Sequence, residues 1–303
     1  MDDVFADRLD PQTLTALNAR SDTKGLTRLC SHLLVLAGLA VLISVIPFSA
    51  WLVPALAVYG GLLIFLFAPL HECIHRTAFR ARWLNDCVAL LTGAVLLLPP
   101  GYFREFHFAH HRHTQDPELD PELASAKPTS LGTYLWFVSG VPYWHERIIT
   151  ILRHAGGRVT EPYIAPRKRA AIVDEARLYL ALYGAAIAAS VAAGSSAIAL
   201  YWLVPALFAQ PALRLFLMAE HSGCPRIKDM LKNSRTTRSN AFVRWFAWNM
   251  PYHAEHHAYP GLPFHALPAA YQLLAPMIET KASGYLAVNW QLLQRRRNSA
   301  ANN

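Results

Sequence analysis

The chain has 303 residues, of which 53% are hydrophobic and only 16% charged, with a formal net charge of +8 and a mean hydropathy of +0.20. So low a charged fraction argues against an ordinary soluble domain. The positive balance suits contact with anionic lipid headgroups, and without a groove-reading motif beside it there is no case for a nucleic-acid binder.

The first 26 residues are polar, carry Asp and Arg, and lack the early apolar core of a cleavable signal peptide. Residues 1–28 read as a cytosolic N-terminal segment. From Leu29 to Leu70, and again from Leu178 to Leu213, no Asp, Glu, Lys or Arg occurs. A membrane span takes roughly 20 residues, so each run is long enough for two. Each has a turn signal near its middle, Pro47–Pro54 in the first and Ala193–Ser196 in the second. The expectation is two helical hairpins, hence four transmembrane helices; a soluble helical core is the rival. All 28 Lys and Arg lie outside the two runs. The positive-inside rule then places the N-terminus, the middle segment and the C-terminus in the cytosol.

The second span should run from about Trp51 to Ala68, leaving His71 and His75 just past its cytosolic end on one helical face. Cys73 between them points to another face. The four cysteines form no C-x-x-C pair and are expected to be free thiols. Arg76, Arg80 and Arg82 follow as surface anchors. Cys87–Phe103 is charge-free but short. It is expected to be re-entrant or to lie in the headgroup layer, because a crossing would put the histidines on either side of it on opposite faces.

His107, His110 and His111 come next, with the spacing H-x-x-H-H, and a D-P-E-L-D-P-E repeat ends their helix. Asp116 and Asp120 could orient ligand imidazoles through the far ring nitrogen, though turn chemistry alone also accounts for them. Leu131–Trp144 reads as one interfacial helix with an aromatic belt. His154–Gly157, HAGG, is similar to the HPGG that binds haem in cytochrome b5. The polar loop from about Leu152 to Arg177 is far too short for that domain. After the second hairpin stands His221, with Arg214 seven residues earlier, placed to snorkel or to pair with an acid. Arg226–Arg238 reads as a solvated basic loop. Phe242–Trp248 should pack the approach to His253, His256 and His257, again H-x-x-H-H. Residues 290–303 read as a disordered, basic, polar tail.

Imidazole is a ligand for iron, zinc, copper and nickel. Chance placement of 14 histidines would rarely give three such clusters, so one metal centre is the economical account. Two rivals exist. His71-Glu72-Cys73-Ile74-His75 satisfies H-E-x-x-H, with Glu72 as the general base of a membrane zinc protease. Such a site needs only three protein ligands and leaves the other clustered histidines without a role. A non-catalytic transporter would place its polar ligands near the bilayer midplane, whereas these fall outside the spans.

The three clusters, in order, spacing and topology from about Leu29 to Leu274, resemble the histidine boxes of the membrane fatty acid desaturase superfamily. That resemblance implies an all-α integral membrane protein, with a desaturase-like domain over 29–289 whose cytosolic helical cap holds a non-haem di-iron site. It carries the ligands of two iron ions onto His71, His75, His107, His110, His111, His253, His256 and His257, with His221 as the additional histidine before the last box. In the family a polar amide stands one turn before that histidine. Here the position is Leu217, so a water or another side chain must complete the shell. His113 is a further candidate ligand, and Glu72 and Glu255 join Asp116 and Asp120 as carboxylates around the imidazoles.

The reaction implied is oxygen-dependent desaturation of a fatty acyl chain. Hydroxylation of a lipid or carotenoid is the alternative, since the carotenoid type often carries a similar D-P-rich segment. The electron donor is expected to be separate, ferredoxin or cytochrome b5-like, because no ferredoxin-type cysteine set or flavin fingerprint is present. Phe108 and Phe264 are expected to line the substrate tunnel.

Overall fold

In the computed structural model, which describes residues 8–47, 49–125 and 128–301, the charge-free runs are helical and turn where the sequence breaks them. A short helix α1 (Pro11–Leu17) is capped by Asp10, which accepts from the amides of Gln12 and Thr13. Then α2 (Asp22–Val45) starts at Ser21, whose hydroxyl accepts from Lys24 N, and stops just before Pro47. Leu34 and Val45 on its outer face are 71% and 70% exposed, a surface that suits lipid rather than water. Helices α3 (Leu52–Ile64) and α4 (Phe67–His75) together make a 24-residue apolar rod. It ends at Arg76, which takes the left-handed conformation at φ 60°. Arg104 donates to the Ile74 carbonyl there, filling one of the acceptors a helix end leaves open.

The re-entrant expectation for Cys87–Phe103 corresponds to a sharp turn. α5 (Arg82–Val95) and α6 (Pro100–His113) meet at 96°. Proline at the first position of α6 presets φ, and Glu175 accepts from the amides of Gly101 at 3.0 Å and Tyr102 at 3.3 Å. The helix bearing His107 is thereby fixed at its start and led back beside His71.

Two sequence readings of the middle segment need correction. Leu131–Trp144 is not one helix but parts of two, α7 (Leu131–Val138) and α8 (Val141–Ala155), reached through a 3-10 turn at Pro121–Leu123. They break at Gly140, at φ 76°, where any Cβ would meet the Gln210 side chain at 2.2 Å. The polar loop is also shorter than read, because α9 begins at Pro166 and runs to Ala192. His154 is buried and bonds Glu161 at 2.9 Å, a structural contact between α8 and that loop.

The turn after α9 falls at Ala193–Ser196 as expected, with Gly194 at φ 57°. A π-helical turn (Ala199–Leu203) leads into α10 (Val204–His221). Among the described residues three helices are long and apolar enough to cross a membrane: Asp22–Val45, Leu52–His75 and Ala199–His221. The bent α5–α6 pair raises the number to four if it counts as one span. The 27-residue α9, the expected third span, is not among them; its first half carries Arg167, Lys168, Arg169, Asp174, Glu175 and Arg177.

The remaining chain builds the face beyond the spans, with α11 (Met230–Asn233), α12 (Ala241–Phe246), α13 (His253–Ala258), α14 (Leu267–Leu274) and α15 (Tyr285–Ala301). Strands β1 (Thr236–Thr237) and β2 (Lys281–Ala282) pair in parallel, so the all-α reading acquires one small sheet. Arg226–Arg238 is solvated only in part: Arg226, Ile227, Lys228 and Arg238 are exposed, whereas Leu231, Asn233, Ser234, Arg235, Thr236 and Thr237 are buried. α15 runs on through the segment read as a disordered tail. The principal core includes Phe67, Leu70, Phe79, Phe103, Leu213, Trp248 and Phe264.

Candidate metal centre

Four helices each bring histidines to one place. α4 supplies His71 and His75, four apart and therefore on one face, and α6 supplies His107, His110 and His111. α10 ends on His221, and α13 carries His253, His256 and His257. Trp248, packed on Phe79 and Phe264, seats the chain before α13 as expected.

The nine imidazoles divide into two adjoining groups. In the first, single ring nitrogens of His71, His75, His107, His111 and His256 all lie within 4.8 Å of one another. Nε2 of His107 stands 2.8 Å from that of His71 and 2.9 Å from that of His111, which stands 3.1 Å from that of His256. In the second, His110, His221 and His257 meet the same limit, and His253 Nε2 is 2.9 Å from His221 Nε2. The rings of His111 and His257, stacked at 4.1 Å, join the groups. His113 belongs to neither. A zinc-protease reading of His71 and His75 does not account for three further imidazoles in the same group.

The donor set fits metal cations. Two ligand nitrogens about 2.1 Å from one cation and roughly at right angles stand about 3 Å apart, the spacing seen between these Nε2 atoms. His75 Nε2 and His257 Nε2 are buried with no hydrogen-bond partner, a costly condition that a cation would relieve. On α13 the imidazoles are neutral. Burial pushes His256 down to about 3 and His253 and His257 well below the ordinary range, reinforced by neighbouring imidazoles. Their lone pairs are free for a metal.

Behind the second group stand protein oxygens. Asp120 Oδ1 accepts from His110 Nδ1 at 2.9 Å, and Asn233 O lies 3.3 Å from His221 Nδ1. Thr114 Oγ1 donates to His110 O and lies 3.3 Å from His257 Nδ1. Glu220 Oε1 is 3.4 Å from His253 Nδ1. Of the four carboxylates picked from sequence, Asp120 alone bonds an imidazole. Asp116 accepts from the amides of Glu118 and Leu119 and only shapes a turn. Glu72 approaches His71 Nδ1 no closer than 3.8 Å and is held by Thr77 and Phe264 N. Glu255 bonds Thr236 at 2.6 Å, and burial raises its carboxyl to about 7. Sequence reasoning missed Glu220, Thr114 and Asn233. Glu220 and Thr114 each lie within three residues of a clustered histidine, His221 and His111 respectively, which was their one visible signal.

A cavity of about 190 Å³ lies behind residues that neighbour both groups, without a box histidine in its lining. Its inner wall holds Phe67 and Phe103, whose rings lie 6.1 Å from His71 and 5.5 Å from His107. Its lining includes Leu217 and Glu122, the latter 3.9 Å from His110 Nδ1. Phe108 and Phe264, expected in a tunnel, do not line it. Phe108 packs under Arg104, and Phe264 packs against Trp248.

The model of the family described as fatty acid desaturase matches residues 15–288. The chain is 29% identical over 243 residues to the dihydrorhizobitoxine desaturase of Bradyrhizobium elkanii, covering 74% of this chain and 68% of that one. It is 24% identical over 244 residues to the sphingolipid delta(4)-desaturase of Drosophila melanogaster, covering 76% and 68%. Against the sn-1 oleoyl-lipid 12-desaturase of Picosynechococcus it is 26% identical over 137 residues, 43% of this chain and 39% of the relative. Matched by the family model along most of its length, the chain belongs to the fatty acid desaturase family.

Proposed function

We propose that this protein is an oxygen-dependent membrane desaturase that introduces a double bond into an acyl chain. The observation that carries the reading is the meeting of nine imidazoles in two adjoining groups beside an aromatic-walled cavity. In this reading His71, His75, His107, His111 and His256 hold one iron ion, and His110, His221, His253 and His257 hold the other. Bound there, the pair of irons supplies the dioxygen chemistry needed to break an unactivated C–H bond. Asp120 keeps the proton of His110 on Nδ1 and so aims its Nε2 inward, and Thr114 and Asn233 do the same for His257 and His221. Phe67 and Phe103 give an apolar wall that seats an alkyl chain and keeps water from the imidazoles.

The topology proposed is four spans in two hairpins, the third formed by the charge-free part of α9 from Leu178 onward, with both termini and the metal centre on the cytosolic side. Electrons come from a separate ferredoxin or cytochrome b5-like donor at the basic face. Desaturation consumes dioxygen, two electrons and two protons with the two substrate hydrogens, and releases two waters.

The test is reconstitution with a reductant chain, oxygen and acyl lipids, followed by mass spectrometry of products and iron analysis. The expected product is lighter by two hydrogens, the protein holds two irons per chain, and His256→Ala loses iron and turnover together. A product heavier by one oxygen from every substrate would replace desaturation by hydroxylation. A single zinc with no iron uptake under anaerobic loading would overturn the di-iron assignment.

A further inference from the structure

The cavity beside the metal centre is not wholly apolar. Arg147 of α8 and Arg214 of α10 both line it. Their guanidinium carbons lie 5.7 Å and 4.4 Å from the centroid of the same ring, Tyr143. Arg147 is 8% exposed; one amino group donates to Glu146 Oε1 at 2.6 Å, while its Nε is buried with no partner among the described residues. Arg214 sits inside a helix apolar enough to cross a membrane and makes no ion pair within 4 Å among the described residues. Its neighbour is the Gln210 amide, whose oxygen, turned toward the guanidinium, accepts from Nε at 3.1 Å. Two glutamates share the lining. Glu146 pairs with Arg147 with its side chain 59% exposed, and Glu122 approaches His110 Nδ1 at 3.9 Å; both carboxylates also act on Arg214 from beyond ion-pair distance.

A guanidinium does not give up its proton, so these charges persist when buried. Ionisable groups at such depth face a partner or a ligand, since an unmatched charge there is costly. What faces these two is a cavity whose other walls include Leu98, Phe103 and Phe106.

We propose that Arg147 and Arg214 bind the anionic head of the substrate inside this cavity, so that the substrate is an amphiphile carrying one carboxylate-type anion on a short apolar chain. The proposal rests on reading the histidine groups as the oxidising metal centre. Arg214 precedes His221 by seven residues of α10, about 10 Å along the axis at about 1.5 Å per residue. The reacting bond therefore lies a short chain length from the head. A volume of about 190 Å³, below the roughly 300–1,000 Å³ of common ligand sites, suits the same class. The planar fork of arginine matches a carboxylate through two parallel hydrogen bonds, and matches a phosphate by the same chemistry.

The test is equilibrium binding of labelled decanoate, methyl decanoate and decyl phosphate to purified full-length protein in detergent. Decanoate is expected to bind at least about tenfold more tightly than its uncharged ester. Arg214→Gln and Arg147→Gln each weaken decanoate about thirtyfold or more, the usual consequence of removing one partner of a buried charge pair, and leave the ester unaffected. Tighter binding of decanoate than of decyl phosphate identifies the head as a free carboxylate, and the reverse order identifies a phosphate; both support an anion site. Equal binding of decanoate and its ester by the wild type overturns the proposal, and needs no variant to fold. So does undiminished decanoate binding in both arginine variants. His75→Ala separates the two readings, because among the described residues His75 touches none that lines the cavity: the variant should lose iron yet bind decanoate as the wild type does. If it kept both iron and turnover, the metal assignment would fall and the anion site would stand.

Discussion

Asp120→Asn probes a carboxylate that bonds a box histidine. Oδ1 accepts from His110 Nδ1 and from Glu122 N, and Oδ2 accepts from Gln115 N, each at 2.9 Å. Asparagine keeps the shape but turns one acceptor into an NH₂ group. Whichever way the amide lies, one N–H donor faces another donor, and the charge that favours the Nδ1–H form of His110 is gone. A hydrogen bond to a charged group contributes about 1.5–3 kcal/mol, or roughly 10- to 150-fold in an equilibrium constant. Loss of a group behind a metal-bound histidine typically costs about 10- to 100-fold in metal affinity. The loss should fall on the group of His110, His221, His253 and His257 and spare the other. The assay is iron per chain after graded chelator challenge. At a chelator level where the wild type keeps both irons, the variant should keep one. Asp116→Asn is the control, because asparagine supports the same turn. Equal chelator resistance of Asp120→Asn and the wild type, or equal losses in the two variants, would refute the reasoning.

Three further outcomes are expected. Gly60→Ala should lower the thermal midpoint in detergent by a few degrees, since its Cβ would lie 2.3 Å from Pro205 O and such overpacking costs about 1–3 kcal/mol; an unchanged midpoint would contradict the close approach of α3 and α10. Burial pushes the Glu161 carboxyl up, but hydrogen bonds from His154 and Arg153 outweigh it and hold it down to about 2. A folded pKa below the unfolded value of about 4.3 means that its stabilisation is present above that pH and lost as pH falls toward 2. Hydrogen exchange of the loop 156–165, corrected for intrinsic rates, should rise over that window in the wild type, and a flat profile would discount the pairing. A reporter after Asn303 should read as cytosolic and one inserted at Ser195 as external; matching sides would break the hairpin topology.

What the chain determined by itself is what rests on local properties. Absence of charge and the helical period do not depend on distant partners, so the helices of the first run, the turn at Ala193–Ser196 and the sharp fold near Pro99 were legible. The H-x-x-H-H spacing was read as one shared face, and the structure refines that reading. Adjacent residues on a helix point about 100° apart, so the neighbours His110 and His111, and likewise His256 and His257, go to different groups.

Tertiary structure decided whatever depends on where a distant segment returns. Asp116 and Asp120 stand in the same D-P-E context, and nothing local separates them. The chain after α6 carries Asp120 back to His110 and leaves Asp116 in a turn. Glu220 precedes His221, yet helical geometry turns it away from that neighbour and toward His253 of α13. The basic composition of Arg226–Arg238 suggested solvent, which holds for Arg226–Lys228, but the part from Asn233 to Thr237 is buried and its backbone supplies the Asn233 carbonyl to His221. Arg147 and Arg214, 67 residues apart in sequence, meet over one tyrosine only because α8 and α10 enclose the same cavity. Burial, which sets both the electrostatics of a charge and the need for a partner, belongs to the assembled fold and not to any stretch of the chain.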